Sequence, residues 1–88
     1  MKLRRHKQFL RDWNKAKITD GQFAKLIHFF ECLRLGKSLP AESKDHSLSG
    51  EYQDCREFHL GGDMLVIYMP IETEIIFLRL GTHSQLFK

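Results

Sequence analysis

The spacing of apolar residues changes period part-way along the chain. Between Lys7 and Lys17, Phe9, Leu10 and Trp13 fall on one helical stripe; beyond Thr19, the positions Phe23, Leu26, Ile27, Phe30 and Leu33 recur at the three-and-four spacing of an amphipathic helix. Thr19 followed three residues later by Gln22 has the form of a capping box, and Gly36 has the form of a helix stop. These signals predict two helices joined by a short link, with Trp13, Phe23 and Phe30 in the core. From Glu51 onward the pattern reads as extended. Glu51 to Leu60, Met64 to Met69 and Glu74 to Leu80 are predicted strands, the latter two rich in Ile, Leu and Val. Gly61-Gly62 is the expected turn of the first hairpin and Pro70 to Thr73 that of the second. Met1 to Arg5 reads as a short first strand, Leu39 to Gly50 as a polar loop, and Gly81 to Lys88 as a polar tail ending on Leu86 and Phe87. The apolar faces of the helices need a cover, and the only candidate is the sheet. The expected fold is therefore α+β: one domain over residues 1–88, a small antiparallel sheet packed against a helical hairpin, in the order β-α-α-β-β-β.

Length and composition fit that picture. At 88 residues there is room for one domain, and 42% hydrophobic with 28% charged residues is ordinary for a soluble globular protein. The longest apolar runs, Met64 to Ile67 and Ile75 to Leu78, are far too short to span a bilayer, and no signal-peptide stretch follows Met1. A cytoplasmic protein without a membrane partner is expected. Two cysteines, Cys32 and Cys55, neither build a disulfide framework nor complete a metal quartet, and read as small buried hydrophobes. Charge is unevenly spread. Residues 1 to 17 carry seven Lys or Arg against Asp12 alone, whereas the rest carries seven bases against ten acids. Such a positive segment attracts nucleic-acid backbone or an acidic protein tail, and equally describes a solvated helix face.

Chemistry concentrates in the second half. His46 follows Asp45; Glu57 and His59, two apart on a predicted strand, share a face; Asp63 returns beside His59 after the turn; Arg79 precedes His83 by four residues. Imidazoles exchange protons near neutral pH, and beside carboxylates and an arginine they are parts for acid–base catalysis. His6 and His28 lack such company and read as a surface and a helix-packing histidine. Taken singly, His46 reads as a turn residue, Glu57 as a cross-strand partner of Arg56 or Arg79, and Phe87 as a hydrophobic plug. His46, His59, Asp63 and His83 are also possible zinc ligands, but no pair has the short His spacing of helical metal motifs. No metal or other cofactor is therefore expected.

The segments Lys44-Asp45-His46-Ser47-Leu48-Ser49-Gly50, Arg56-Glu57-Phe58-His59, Asp63 with Leu65-Val66-Ile67-Tyr68, and Arg79-Leu80-Gly81-Thr82-His83-Ser84-Gln85-Leu86-Phe87 together resemble the YafQ-like branch of the RelE/ParE superfamily of bacterial toxins. The resemblance runs from about Leu39 to the end, roughly half the chain. It implies a RelE-like fold and a toxin of a type II toxin-antitoxin system, a ribosome-dependent mRNA endoribonuclease. It also implies a cognate antitoxin, of the ribbon-helix-helix kind, whose complex with the toxin binds operator DNA. His46, His59, Asp63, His83 and Phe87 stand at the pattern's active-site positions. Arg79 and Glu57 match supporting positions in close relatives, and Lys44 and Arg56 lie in the matched segments. On this reading His83 is the general acid, His46 or Asp63 the base, His59 an orienting or second proton-transfer group, Arg79 the cation facing the phosphorane, and Phe87 a base-stacking platform. Lys7, Arg11, Lys15 and Lys17 would meet ribosomal RNA. One departure is Met64, where the pattern has Trp. The contrasting class is a toxin of the same fold, or a nucleic-acid-binding protein, that acts through contacts alone; such toxins lack the histidine set.

Overall fold

The computed structural model describes residues 1–87, so Lys88, the last residue of the predicted tail, lies outside the described residues. The element order is β1 (Lys2–Arg5), α1 (Lys7–Lys15), α2 (Asp20–Arg34), β2 (His46–Ser47), β3 (Arg56–Gly61), β4 (Met64–Pro70), β5 (Glu74–Thr82) and α3 (His83–Leu86). The α+β arrangement is the expected one. Single 3-10 turns at Ala41–Ser43 and Gly50–Tyr52 flank β2.

Helix ends follow the sequence signals. Thr19 Oγ1 accepts from the Gln22 amide while Gln22 Oε1 accepts from the Thr19 amide, which closes the capping box that starts α2. At the other end Gly36 adopts φ 71°, and the Gly36 and Lys37 amides donate to the Leu33 and Cys32 carbonyls, a Schellman stop. His6 is the N-cap of α1: its Nδ1 accepts from the Gln8 amide at 3.1 Å, and its own amide donates to the Phe77 carbonyl. It is a capping histidine, with more structural work than a free surface residue.

Five strands form one sheet in the order β1-β5-β4-β3-β2. β1 runs parallel to β5; the other pairings are antiparallel. The helices cover one face. There Phe9, Leu26, Phe29 and Leu33 meet Phe58, Leu60, Val66, Tyr68, Phe77 and Leu80 in the main core. The opposite face carries a smaller cluster of Cys55, Leu65, Ile67 and Leu86, flanked by Leu48, Tyr52, Leu78 and Phe87.

Several expectations need correction. The first hairpin turns at Gly62 and Asp63, with Gly61 still paired to Met64, so Asp63 belongs to the loop tip. β3 starts at Arg56 because Gly50–Tyr52 curls into a 3-10 turn instead of extending. The supposed loop contributes β2, and the supposed tail folds into α3. Trp13 and Phe23 are not core residues: they are 39% and 45% exposed and, with Leu10 and Ile27, rim an apolar cleft of about 220 Å³ between α1 and α2. Phe29, fully buried, takes the place in the core that the sequence stripe gave to Ile27. His28 is exposed, beside Cys32, and does not pack in the core.

Candidate active site

The face of the sheet turned away from the helices holds the candidate chemistry. Strand register sets it out in rows: His46 pairs with Glu57, Glu57 with Ile67, and Ile67 with Arg79, so these four side chains cross the sheet on one line. The next row is His59, Leu65 and Gly81.

At one end of the rows His46 Nε2 lies 3.5 Å and His59 Nε2 3.8 Å from the same oxygen, Glu57 Oε2. The two imidazole centroids are 6.1 Å apart. The Glu57 side chain is only 6% exposed, and its other oxygen, Oε1, is buried with no hydrogen-bond partner among the described residues. Burying a carboxylate is costly unless cations or donors compensate it. The two imidazoles supply that compensation whenever they carry a proton. His46 Nδ1 sits 2.7 Å from the Lys44 carbonyl. A carbonyl only accepts, so Nδ1 carries the hydrogen, and in neutral His46 the lone pair is on Nε2, facing Glu57. Lys44 makes this possible by adopting φ 51°, which turns its carbonyl toward the ring. Its own side chain points into solvent.

The loop that carries His46 is tied down from below. Asp45 accepts from Arg56 Nε and Nη2 at 3.2 and 3.3 Å and from the Tyr68 hydroxyl at 2.6 Å. Burial first, and then the bond to Asp45, push the Tyr68 phenol above its ordinary pKa; the bond to Asp45 also raises Arg56. Arg56 therefore anchors a loop, and neither it nor Arg79 touches Glu57, contrary to the cross-strand ion pair considered from sequence.

At the other end of the rows, Arg79 is held by α1. Its Nε and Nη2 donate to the Asp12 carboxylate at 2.8 and 3.3 Å, and Asp12 Oδ2 also accepts from the Leu80 amide at 2.9 Å. The Asp12 bond raises the Arg79 pKa further, keeping the guanidinium charged. α3 then begins with a second capping box, Thr82 with Gln85. It places the exposed His83 ring against Phe87, centroids 4.9 Å apart, and Phe87 edge-on to Tyr52 at 5.7 Å. Arg79, Tyr52, Phe87, Gln85 and Ser49 line an open cavity of about 370 Å³.

Of the expected site residues, the fold thus joins His46, Glu57 and His59 directly, and sets Arg79, His83 and Phe87 as a second group on the same face. β3, which carries Glu57 and His59, is two strand spacings from β5, about 10 Å, and β2 with His46 lies one spacing further out. Asp63 stands apart at the hairpin tip, exposed and without a hydrogen bond or ion pair among the described residues; His59 has Glu57 as its carboxylate instead. Lys7, Arg11 and Lys17 are exposed, and Lys15 borders a cavity with Asp12 and Arg79; none of the four forms an ion pair among the described residues. Asp12 and Tyr52 were not foreseen. Asp12 had a signal, as the one acid among seven bases in the first segment; Tyr52 had none.

With this geometry in view, comparison with known proteins gives a consistent result. The chain is an α+β domain, a five-stranded sheet backed by two helices with its titratable side chains on the opposite face. Residues 1–88 match the family described as the bacterial toxin of type II toxin-antitoxin system, YafQ, and the chain belongs to that family. It is 39% identical over 81 residues to the mRNA interferase toxin YafQ of Escherichia coli strain B / BL21-DE3, covering 91% of this chain and 88% of the relative. Its structure superposes on the toxin of the E. coli DinJ-YafQ toxin-antitoxin complex with TM-score 0.82 at 30% identity, over 98% of this chain and 96% of the other. A copper-bound mutant toxin from Helicobacter pylori superposes equally well, TM-score 0.82 at 34% identity, over 98% of each chain.

Proposed function

We propose that this toxin is a ribosome-dependent endoribonuclease that cuts messenger RNA by metal-independent acid–base catalysis and so arrests translation in the cytoplasm. The observation that carries the reading is the row from His46 through Glu57 to Arg79: a proton-accepting imidazole and a fixed cation on one sheet face, joined across a buried carboxylate. The relative named an mRNA interferase supports the same activity.

The chemistry is transphosphorylation. A base takes the proton of a ribose 2′-hydroxyl; the 2′-oxygen attacks phosphorus; the bond to the 5′-oxygen breaks and that oxygen takes a proton from an acid. A 2′,3′-cyclic phosphate and a 5′-hydroxyl result. His46 is the base, preferred over Asp63 because the Lys44 carbonyl leaves its Nε2 bare and directed into the site. The imidazolium formed lies against Glu57, and His59, on the same carboxylate oxygen, passes the proton on or steadies it. Asp63, at the rim of the hairpin, is left to contact the flanking RNA. Arg79 stabilises the charge developing on the phosphorane, preorganised because Asp12 already holds it. His83 is the acid. Phe87, tilted against His83 and braced edge-on by Tyr52, offers a face to a base, a contact worth about 1 to 3 kcal/mol.

Lys7, Arg11, Lys15 and Lys17 form the basic face that meets ribosomal RNA. A cognate antitoxin, of the ribbon-helix-helix kind and bound to operator DNA with the toxin, is proposed from the DinJ complex of the E. coli relative. The exposed apolar cleft between α1 and α2 is consistent with a protein partner.

Induction of wild type and His83→Ala in a bacterium, with primer extension on a reporter message, tests the reading. Removing one positioned proton donor should lower cleavage by about 10² to 10⁴ and relieve growth arrest. Equal cleavage and equal arrest would reject it.

A further inference from the structure

We infer that Tyr52 is a further RNA-contacting residue: its hydroxyl, beside the Arg79 guanidinium, donates a hydrogen bond to a non-bridging oxygen of the scissile phosphate, so that the two groups hold the phosphate as a pair; the identity of that phosphate rests on the function proposed above. Three observations lead here. Tyr52 and Arg79 stand on the wall common to two open cavities of about 370 and 290 Å³, the first shared with Gln85 and Phe87, the second with His6 and Gln8. Cavities of roughly 300 Å³ and more hold small ligands. Glu51, also on that wall, is exposed, where solvent screens its charge.

The second observation is how the guanidinium is shared. Asp12 takes one edge of Arg79, through Nε and Nη2, and does not use Nη1. The Asp12 bond first, and then the Tyr52 hydroxyl, raise the Arg79 pKa, so the phenol oxygen is within electrostatic reach of the cation. A guanidinium only donates hydrogen bonds. A hydroxyl beside it therefore turns its oxygen toward the cation and its hydrogen away, free for an anion lying against the same guanidinium. Hydrogen bonds to a charged acceptor are shorter and stronger than those between neutral groups, and a phosphate held by Arg79 is such an acceptor.

The third is rigidity. Tyr52 ends the 3-10 turn Gly50–Tyr52, which Gly50 enters at φ 68° and after which Asp54 adopts φ 73°. The Gln53 amide donates to the Gly50 carbonyl, the Cys55 amide to that of Tyr52 and the Leu48 amide to that of Cys55, so the loop is closed on itself. The half-buried Tyr52 packs on the cluster of Cys55, Leu65, Ile67 and Leu86, edge-on to Phe87. A donor held by such packing loses little freedom when a ligand binds. Bracing Phe87 needs only the ring; the hydroxyl is what the phosphate uses.

The test separates ring from hydroxyl. Tyr52→Phe keeps the packing and removes one oxygen. With folding checked by circular dichroism, its cleavage of message on programmed ribosomes should fall about tenfold to hundredfold, the loss of one hydrogen bond to a charged group. Message carrying sulfur in place of each non-bridging oxygen of the scissile phosphate in turn gives a second readout, because sulfur is a weak acceptor. One of the two isomers should slow wild type more than the other, and that difference should shrink in Tyr52→Phe. Cleavage by Tyr52→Phe at the wild-type rate, or a difference between isomers equal to that of wild type, would reduce Tyr52 to a brace and overturn the inference. A third measurement needs neither variant nor cleavage, and decides the matter should Tyr52→Phe fail to fold: titration of the wild-type protein with inorganic phosphate, followed by NMR. The Tyr52 ring and Arg79 Nε–H signals should move together along one binding curve; Tyr52 signals that do not respond would exclude the contact. Tyr52 and Arg79 that respond to phosphate in a protein that never cuts message support the contact while counting against the nuclease, so the two failures are distinguishable.

Discussion

Single residues divide into those to which the proposed chemistry falls and those that hold them in place. Asp12 and Lys44 belong to the second kind as direct hydrogen-bond partners of Arg79 and His46, and Arg56 and Tyr68 hold Asp45, the residue before His46. The cysteines give an independent check on local environment. Cys55 is buried in the cluster under the site, and burial, helped by neighbouring Asp54, raises its thiol pKa. Thiolate is the reactive form, so alkylation at neutral pH should label Cys32 well before Cys55, read by peptide mass mapping over time. Equal rates would mean that the face around Cys55 opens in solution.

Elements show where sequence was legible and where it was not. The helix boundaries could be read from Thr19, Gln22 and Gly36 because caps are local chemistry. The buried side of α2 could not: with apolar residues at 26, 27, 29 and 30, two stripes can be drawn, and contact with Phe58 is what carries Phe29 into the core. β2 escaped notice since a two-residue strand is defined by its partner β3, not by its own composition. α3 had a written signal, the Thr82 to Gln85 capping box, which a polar tail obscured. Gly81 shows how closely α3 seats on β5. A Cβ there would come 2.9 Å from Gln85 Oε1 and 3.2 Å from a Leu86 methyl, and that Gln85 oxygen is the one that caps the Thr82 amide. Gly81→Ala should therefore shift α3, costing about 1 kcal/mol as a lost cap does, and lower cleavage by displacing His83. Chemical denaturation and a cleavage assay on the same sample check both; an unchanged rate would detach α3 from catalysis.

On the scale of the whole molecule, the sheet works as a partition. One face is spent on the aromatic core, which fixes strand register, and register is what aligns His46, Glu57 and Arg79 on the other face. Stability should reflect that division: Phe29→Ala should cost about 3 to 5 kcal/mol, whereas Ile27→Ala, on the 53% exposed rim of the α1/α2 cleft, should stay within about 0.5 kcal/mol. Urea unfolding of the two variants gives the comparison. The motif named the candidate residues but not their grouping: Asp63 stands apart at the hairpin tip, and Glu57 takes its place between two imidazoles because β3 pairs with β2. In the proposed mechanism the nucleophile is the message's own 2′-hydroxyl, activated on this face without a metal. A programmed ribosome carrying mRNA with a single 2′-deoxy nucleotide at the scissile position, in chelator-treated buffer with only the magnesium that ribosomes require, tests it directly. The unmodified message should be cut to a 2′,3′-cyclic phosphate and the deoxy message left intact; cutting of the deoxy message at the unmodified rate would contradict the mechanism.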